Sequence, residues 1–208
     1  MRIFIIILIV GLVLWTAWSY YISNAISLSY KVIDKKDLYE IRQYDPYIAM
    51  QVEVENSDYE QAQNEAFKIL AGYIFGGNSG KQSIAMTTPV TTNKKEGESI
   101  AMTTPVTTNK KGNKIVMTFS APPEYTLDTL PRPDDSRISF LQIPSKKIAA
   151  YRFGIIRSQD KIEENKKKFL GILEENKEKV LAEPVFAGYN GPWTIPFLIR
   201  NEILVEIE

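Results

Sequence analysis

Two hydrophobic periods alternate along most of the chain. Across Tyr47–Glu55 the apolar Ile48, Met50, Val52 and Val54 interleave with Ala49, Gln51 and Glu53, the period of two expected of a half-buried strand. Leu38–Tyr44 reads as a strand ahead of it, with Asp45-Pro46 as the turn between them. The period then changes to that of a helix. Ala62, Ala66, Leu70 and Tyr73 form one apolar stripe flanked by Phe67 and Ile74. Ser57, with Glu60 three residues on, supplies a capping box at its start, and Gly76-Gly77-Asn78 stops it. Strand-like stretches within Ile84–Thr92 and Lys114–Ser120 follow.

The same order returns further on. Ile138–Ile143 and Lys147–Ile156 read as strands around Pro144-Ser145. Asp160 with Glu163 caps a helix running to about Val180, with Ile162, Phe169, Ile172, Leu173 and Val180 turned inward. Glu202–Ile207 is the last strand, and Pro122, Pro123, Pro131 and Pro133 make the stretch between the halves an extended connector. Strand-strand-helix-strand-strand therefore occurs twice, over about 38–120 and 138–208. The pattern predicts an α+β domain spanning 29–208, an antiparallel sheet covered by two helices with a ligand cleft between sheet and helix.

Residues Ile3–Ile22 carry no formal charge over 20 positions, about 30 Å of helix and the thickness of a hydrocarbon core. Trp15, Trp18, Tyr20 and Tyr21 gather at one end, where aromatic rings favour the headgroup interface. A cleavable signal peptide competes, since Ser23-Asn24-Ala25 is an acceptable cleavage site, but the run is longer than an ordinary signal-peptide core. The expectation is a single membrane anchor over 1–28. Arg2 and the terminal amine favour a domain facing away from the cytoplasm, opposed by Lys31, Lys35 and Lys36.

An exact repeat interrupts the first half: SIAMTTPVTTNKK occupies 83–95 and again 99–111, an offset of 16 (units 83–98 and 99–114). Sixteen is even, so either copy presents the same faces to a sheet. One copy is expected to pair within the sheet and the other to loop from it as a tolerated duplication in an exposed hairpin.

Composition narrows the chemistry. Cys and His are both absent from all 208 residues. Disulfide frameworks, thiolate metal sites, thiol catalysis and Ser-His-Asp hydrolysis are excluded, and the usual zinc and haem axial ligand is missing. Twenty-five basic residues balance 25 acidic ones, and Lys166-Lys167-Lys168 share a helix with Glu163, Glu164, Glu174 and Glu175 as a solvated face, so no nucleic-acid partner is expected. Gly76–Gly80 lacks the Gly-Lys-Ser/Thr ending of a phosphate loop. Glu53 and Glu55 read as solvated, Met86, Met102 and Met117 as core packing, and Tyr39, Tyr44, Tyr47, Tyr151 and Tyr189 as half-buried walls. Glu202, at the mouth of the last strand, is either a ligand contact or an exposed strand-end charge. No nucleophile–base pair can be named, and an enzyme is not expected.

YEIRQYDPYIAMQVEV (39–54), AGYIFGGN (71–78), IAMTTPV (84–90 and 100–106), VMTFSAPPEY (116–125) and GYNGPWTIPFLIRNEILVEI (188–207) occur in the order seen in the SOUL haem-binding protein family, which the chain resembles over 39–207. The resemblance implies a distorted antiparallel β-barrel of two pseudo-symmetric halves, each with one helix, similar to effector-binding domains that hold hydrophobic or cationic small molecules. It implies haem or another tetrapyrrole as ligand, not required for folding. Gln43 stands where some members carry a proposed axial histidine; others lack it and hold the porphyrin by apolar contact beside the first helix. The matching contacts here are Phe67, Lys68, Ala71 and Ile74, with Lys68 able to meet a propionate. Asn64 and Gly72 stand where other members carry basic residues. Two functions follow: a membrane-tethered carrier, buffer or sensor of tetrapyrroles, or a pocket for another apolar or cationic molecule, with hydrolysis by a tyrosine and Glu202 as its extension.

Overall fold

A computed structural model describes residues 28–56, 58–95, 114–154, 158–190 and 194–208, together with Phe4, Val10, Gly11 and Leu14–Ala17, which are helical. Most of the apolar run 3–22 and the second repeat copy lie outside the described residues. Among the described residues no helix is long and apolar enough to cross a membrane.

The elements are β1 (Tyr30–Lys35), β2 (Glu40–Tyr44), β3 (Tyr47–Glu55), α1 (Tyr59–Ile74), β4 (Val90–Lys95), β5 (Lys114–Ser120), β6 (Ser139–Ile143), β7 (Lys146–Phe153), α2 (Gln159–Glu175), β8 (Val185–Gly188) and β9 (Asn201–Glu206). The strands form one nine-stranded antiparallel sheet in the order β1-β2-β7-β9-β8-β4-β5-β3-β6. It is a curled half-barrel whose edges are β1 and β6, where a barrel was expected.

Two short links explain the curl. Asp45-Pro46 joins β2 to β3, and Pro144-Ser145 joins β6 to β7, although the members of each pair stand near opposite ends of the sheet. Links of that length reach only about 10 Å, so the two ends must bend toward each other. Ser145 Oγ donates to the Tyr44 carbonyl at 2.7 Å and accepts from Gln43 Nε2 at 2.8 Å, tying one link to the other. Consequently β2 and β3 are not a hairpin. Each half places its first strand against the other half, β2 on β7 and β6 on β3, so the halves interlock rather than stand side by side.

Each helix covers one end of the sheet's outer face. Met50, Val52 and Val54 of β3 with Ile115, Met117 and Phe119 of β5 meet Ala62, Ala66, Leu70, Tyr73 and Ile74 of α1. Ile41, Ala149, Tyr151, Ile203 and Val205 meet Ile162, Phe169 and Leu173 of α2, where Phe169 stacks on Tyr151 at 5.2 Å. The alternation of β3 thus points its large apolar residues at a helix and leaves Glu53 and Glu55 exposed, as the pattern predicts.

The caps differ from the expected ones. Asp58, rather than Ser57, begins α1: its carboxylate accepts from the backbone N–H of Glu60 at 2.9 Å and Gln61 at 3.1 Å. Asp58→Ala therefore costs about 1 kcal/mol, read as a lower midpoint in urea unfolding. At α2 the N-cap is Ser158, and Asp160 sits within the first turn; the helix stops at Glu175 because Asn176 caps it and Lys177 takes φ 59°. Lys166 is buried beside Glu163, so the triple-lysine run is not uniformly solvated. Buried Asn78 closes the end of α1, its amide donating to the carbonyls of Tyr73 and Gln82 and its oxygen accepting from the N–H of Gly80 and Gln82. Gly77 is required there, since a Cβ would stand 2.8 Å from the Gly72 carbonyl oxygen.

The first repeat copy supplies β4, between β5 and β8, although the strand starts only at Val90. β1 and β8 carry no legible pattern: five of six β1 residues are exposed, and β8 has four residues.

Candidate functional site

The outward face of α1 is a shallow apolar platform. Phe67 is 42% exposed with its ring edge-on to Phe119, and Phe75, which caps the C-terminal end of the helix, is 73% exposed. Between them Ala71 is half-buried, and nothing lies within 4 Å of where a Gly72 side chain would begin. Asn64 and Lys68 border the platform and are exposed, whereas Ile74 is fully buried in the core and contributes no surface. Beside it a cavity of about 350 Å³ is lined by Lys68, Gly72, Tyr73 and Gly77, with Glu65, Asp134 and Asp135 on its rim.

Gln43 is elsewhere. It lies on β2 with its amide engaged by Ser145, so the structure does not bring it to the α1 platform. Glu202 is in a third place, the sheet's inner face. Strand alternation puts Arg42 and Tyr44 of β2, Ala150 and Arg152 of β7, and Glu202 of β9 on that face, with Glu202 opposite Arg152.

Glu202 is not an exposed strand-end charge. It is buried, and its carboxylate accepts four hydrogen bonds: Arg42 Nη1 at 2.6 Å, Arg42 Nη2 at 3.1 Å, Arg200 Nε at 2.8 Å and the Tyr189 hydroxyl at 2.7 Å. Arg42 also binds Glu40 through Nε and Nη2. Rings back both guanidinium groups, Tyr30 beneath Arg42 at 4.7 Å and Tyr189 beneath Arg200 at 3.8 Å. Burial acts to raise the Glu202 carboxyl, but hydrogen bonds and charge from Arg42 and Arg200 outweigh it and hold the group below its usual value. Burial, with Tyr44 and Glu202 close by, pushes the Tyr189 phenol well above its usual value, so it stays a neutral donor. Four donors fill the positions a carboxylate offers, leaving Glu202 no lone pair for a substrate proton or a cation. Of the five tyrosines read as walls, four are buried, and Tyr47 is half-buried.

Arg42 and Arg200 were not singled out in the sequence, and Tyr189 was read only as a half-buried wall. One signal was present: Arg200 and Glu202 are two apart, hence on one side of a strand.

A cleft of about 340 Å³ opens over this network, lined by Tyr30, Leu38, Tyr39, Ala150 and Arg152 among others. The SOUL heme-binding protein family model matches residues 26–206. The chain belongs to the SOUL heme-binding protein family. Among its SOUL relatives is heme-binding protein 2 of Mus musculus, 30% identical over 165 residues that cover 78% of this chain and 74% of the mouse protein. Its fold is similar to that of the EcmrR C-terminal domain (TM-score 0.58, 13% identity, 82% of this chain and 98% of that one). It is also similar to that of a hydrolase from Listeria innocua (TM-score 0.51, 9% identity, 85% and 94%).

Proposed function

We propose that this chain is a non-enzymatic tetrapyrrole-binding protein that lays the ring on the outward face of α1 by apolar contact, as a carrier, buffer or sensor of haem or a precursor. Membership of the SOUL heme-binding family is the observation that carries the reading. The platform of Phe67, Ala71, Gly72 and Phe75 supports the place, and exposed Lys68 is within the same surface to meet a propionate. Iron ligation does not fit the platform: Phe67, Ala71, Gly72 and Phe75 offer no iron ligand, and the chain has no His or Cys. The ring, not the metal, is what this surface suits. Tethering rests on the uncharged run Ile3–Ile22, and an outward-facing domain on Arg2.

The alternative of a cation pocket with hydrolytic chemistry at Glu202 is disfavoured by the saturation of that carboxylate.

Titration of haemin and of metal-free protoporphyrin into the full chain in detergent tests the reading. Both saturate at one equivalent with similar affinity, and Phe67→Ala weakens both roughly tenfold, about 1.4 kcal/mol. Absence of saturable binding with either ring would refute it.

A further inference from the structure

The inner cleft has no part in the platform reading, and its chemistry is of another kind. Glu202 invites comparison with a cation-binding carboxylate, but two arginines already neutralise it, and the cleft's remaining charge is positive. Its lining holds Lys35, Lys36, Arg42, Arg152 and Arg200 against Asp37, Glu40 and Glu202. Arg152 faces Glu202 directly in register, is exposed, and has no ion-pair partner among the described residues. Glu202 does not bind it because its oxygens are filled. Arg200 has five N–H donors, of which Nε serves Glu202 and one on Nη2 reaches the Tyr30 hydroxyl at 3.2 Å; its side chain is 28% exposed. Tyr30, Leu38 and Ala150 give the cleft an apolar wall, and Leu38 is 58% exposed.

We propose that the inner cleft binds an organic carboxylate, its oxygens held between Arg152 and the spare donors of Arg200, its apolar body against Tyr30, Leu38 and Ala150. Paired guanidinium donors suit a carboxylate by geometry and charge, and a cavity of about 340 Å³ suits a small molecule or one arm of a larger one. The carboxylate is therefore either that of a free small acid or the propionate of a tetrapyrrole whose ring lies outside.

The probe is 2-naphthoate, followed by fluorescence with the full chain in detergent, beside naphthylmethylammonium as its cationic counterpart. Naphthoate binds saturably at one equivalent, the ammonium does not, and Arg152→Glu weakens naphthoate at least tenfold. Because Arg152 is exposed and has no ion-pair partner among the described residues, Arg152→Gln, which sets no new charge opposite Glu202, keeps the wild-type melting temperature and shows the same loss of naphthoate binding. Phe67→Ala leaves naphthoate binding unchanged, so this result stands or falls apart from the α1 platform. Competition by protoporphyrin but not by its dimethyl ester identifies the propionate as the source; no competition by either identifies a free acid. No saturable naphthoate binding, equal binding of the ammonium, or an unaltered affinity in Arg152→Glu overturns the proposal.

Discussion

Glu202→Ala lowers the unfolding free energy by about 3–5 kcal/mol, because it leaves Arg42 and Arg200 sharing a buried site without their common carboxylate. In a chain of this size that is a fall in melting temperature of roughly 6–20 °C. The pH dependence has a fixed sign. The folded-state carboxyl lies below its unfolded value despite burial, so the stability it supplies is fully present above the unfolded value, about pH 4.3, and is lost as pH falls through the folded one. The wild type therefore loses stability on the acid side, and Glu202→Gln, which keeps shape without charge, flattens that limb. Urea unfolding of the three proteins between about pH 3 and pH 7 measures both effects. Parallel acid limbs in wild type and Glu202→Gln would show that the network does not control acid stability. The loss measures two stranded guanidinium groups rather than the net worth of the network.

Removing one repeat unit stabilises the fold. Lys95 of β4 pairs with Lys114 of β5, so the connection between the two strands is 18 residues, 96–113. Deleting 83–98, or equally 96–111, yields one and the same sequence, in which Lys-Gly112-Asn113-Lys114 closes the hairpin with a two-residue loop. Gly-Asn is a favourable pair for such a loop. Shortening the connection ninefold recovers about 2 kcal/mol of closure entropy, a rise of roughly 4–8 °C in melting temperature. Because the offset is even, every residue of β4 keeps its face and its pairing with β5 and β8. Calorimetry of the deletion beside the full chain decides it, and porphyrin affinity stays unchanged. A lower melting temperature would mean that the second copy makes stabilising contacts of its own.

Much of this molecule is written locally. The alternation in Tyr47–Glu55 fixes which side chains of β3 meet a helix, and the stripe through Ala62, Ala66, Leu70 and Tyr73 fixes the inward side of α1. The same period sets Phe67 and Ile74 at the two edges of that stripe, and packing decides between them, burying Ile74 and leaving Phe67 exposed. Phe67, Lys68, Ala71 and Ile74 as ligand contacts came from the family resemblance, not from the period.

The inner cleft belongs to the tertiary structure. Arg42 and Glu202 are 160 residues apart and meet because β2 pairs with β7 instead of β3 and β7 pairs with β9. Local periodicity states that a strand has two faces and is silent on which distant strand lies beside it. Strand partners are chosen by the short links at Asp45-Pro46 and Pro144-Ser145 together with burial of both helices, a condition on the whole chain at once. For the same reason Glu202 read as an ambiguous surface charge in the sequence and is, once folded, a buried anion held by two arginines and a tyrosine.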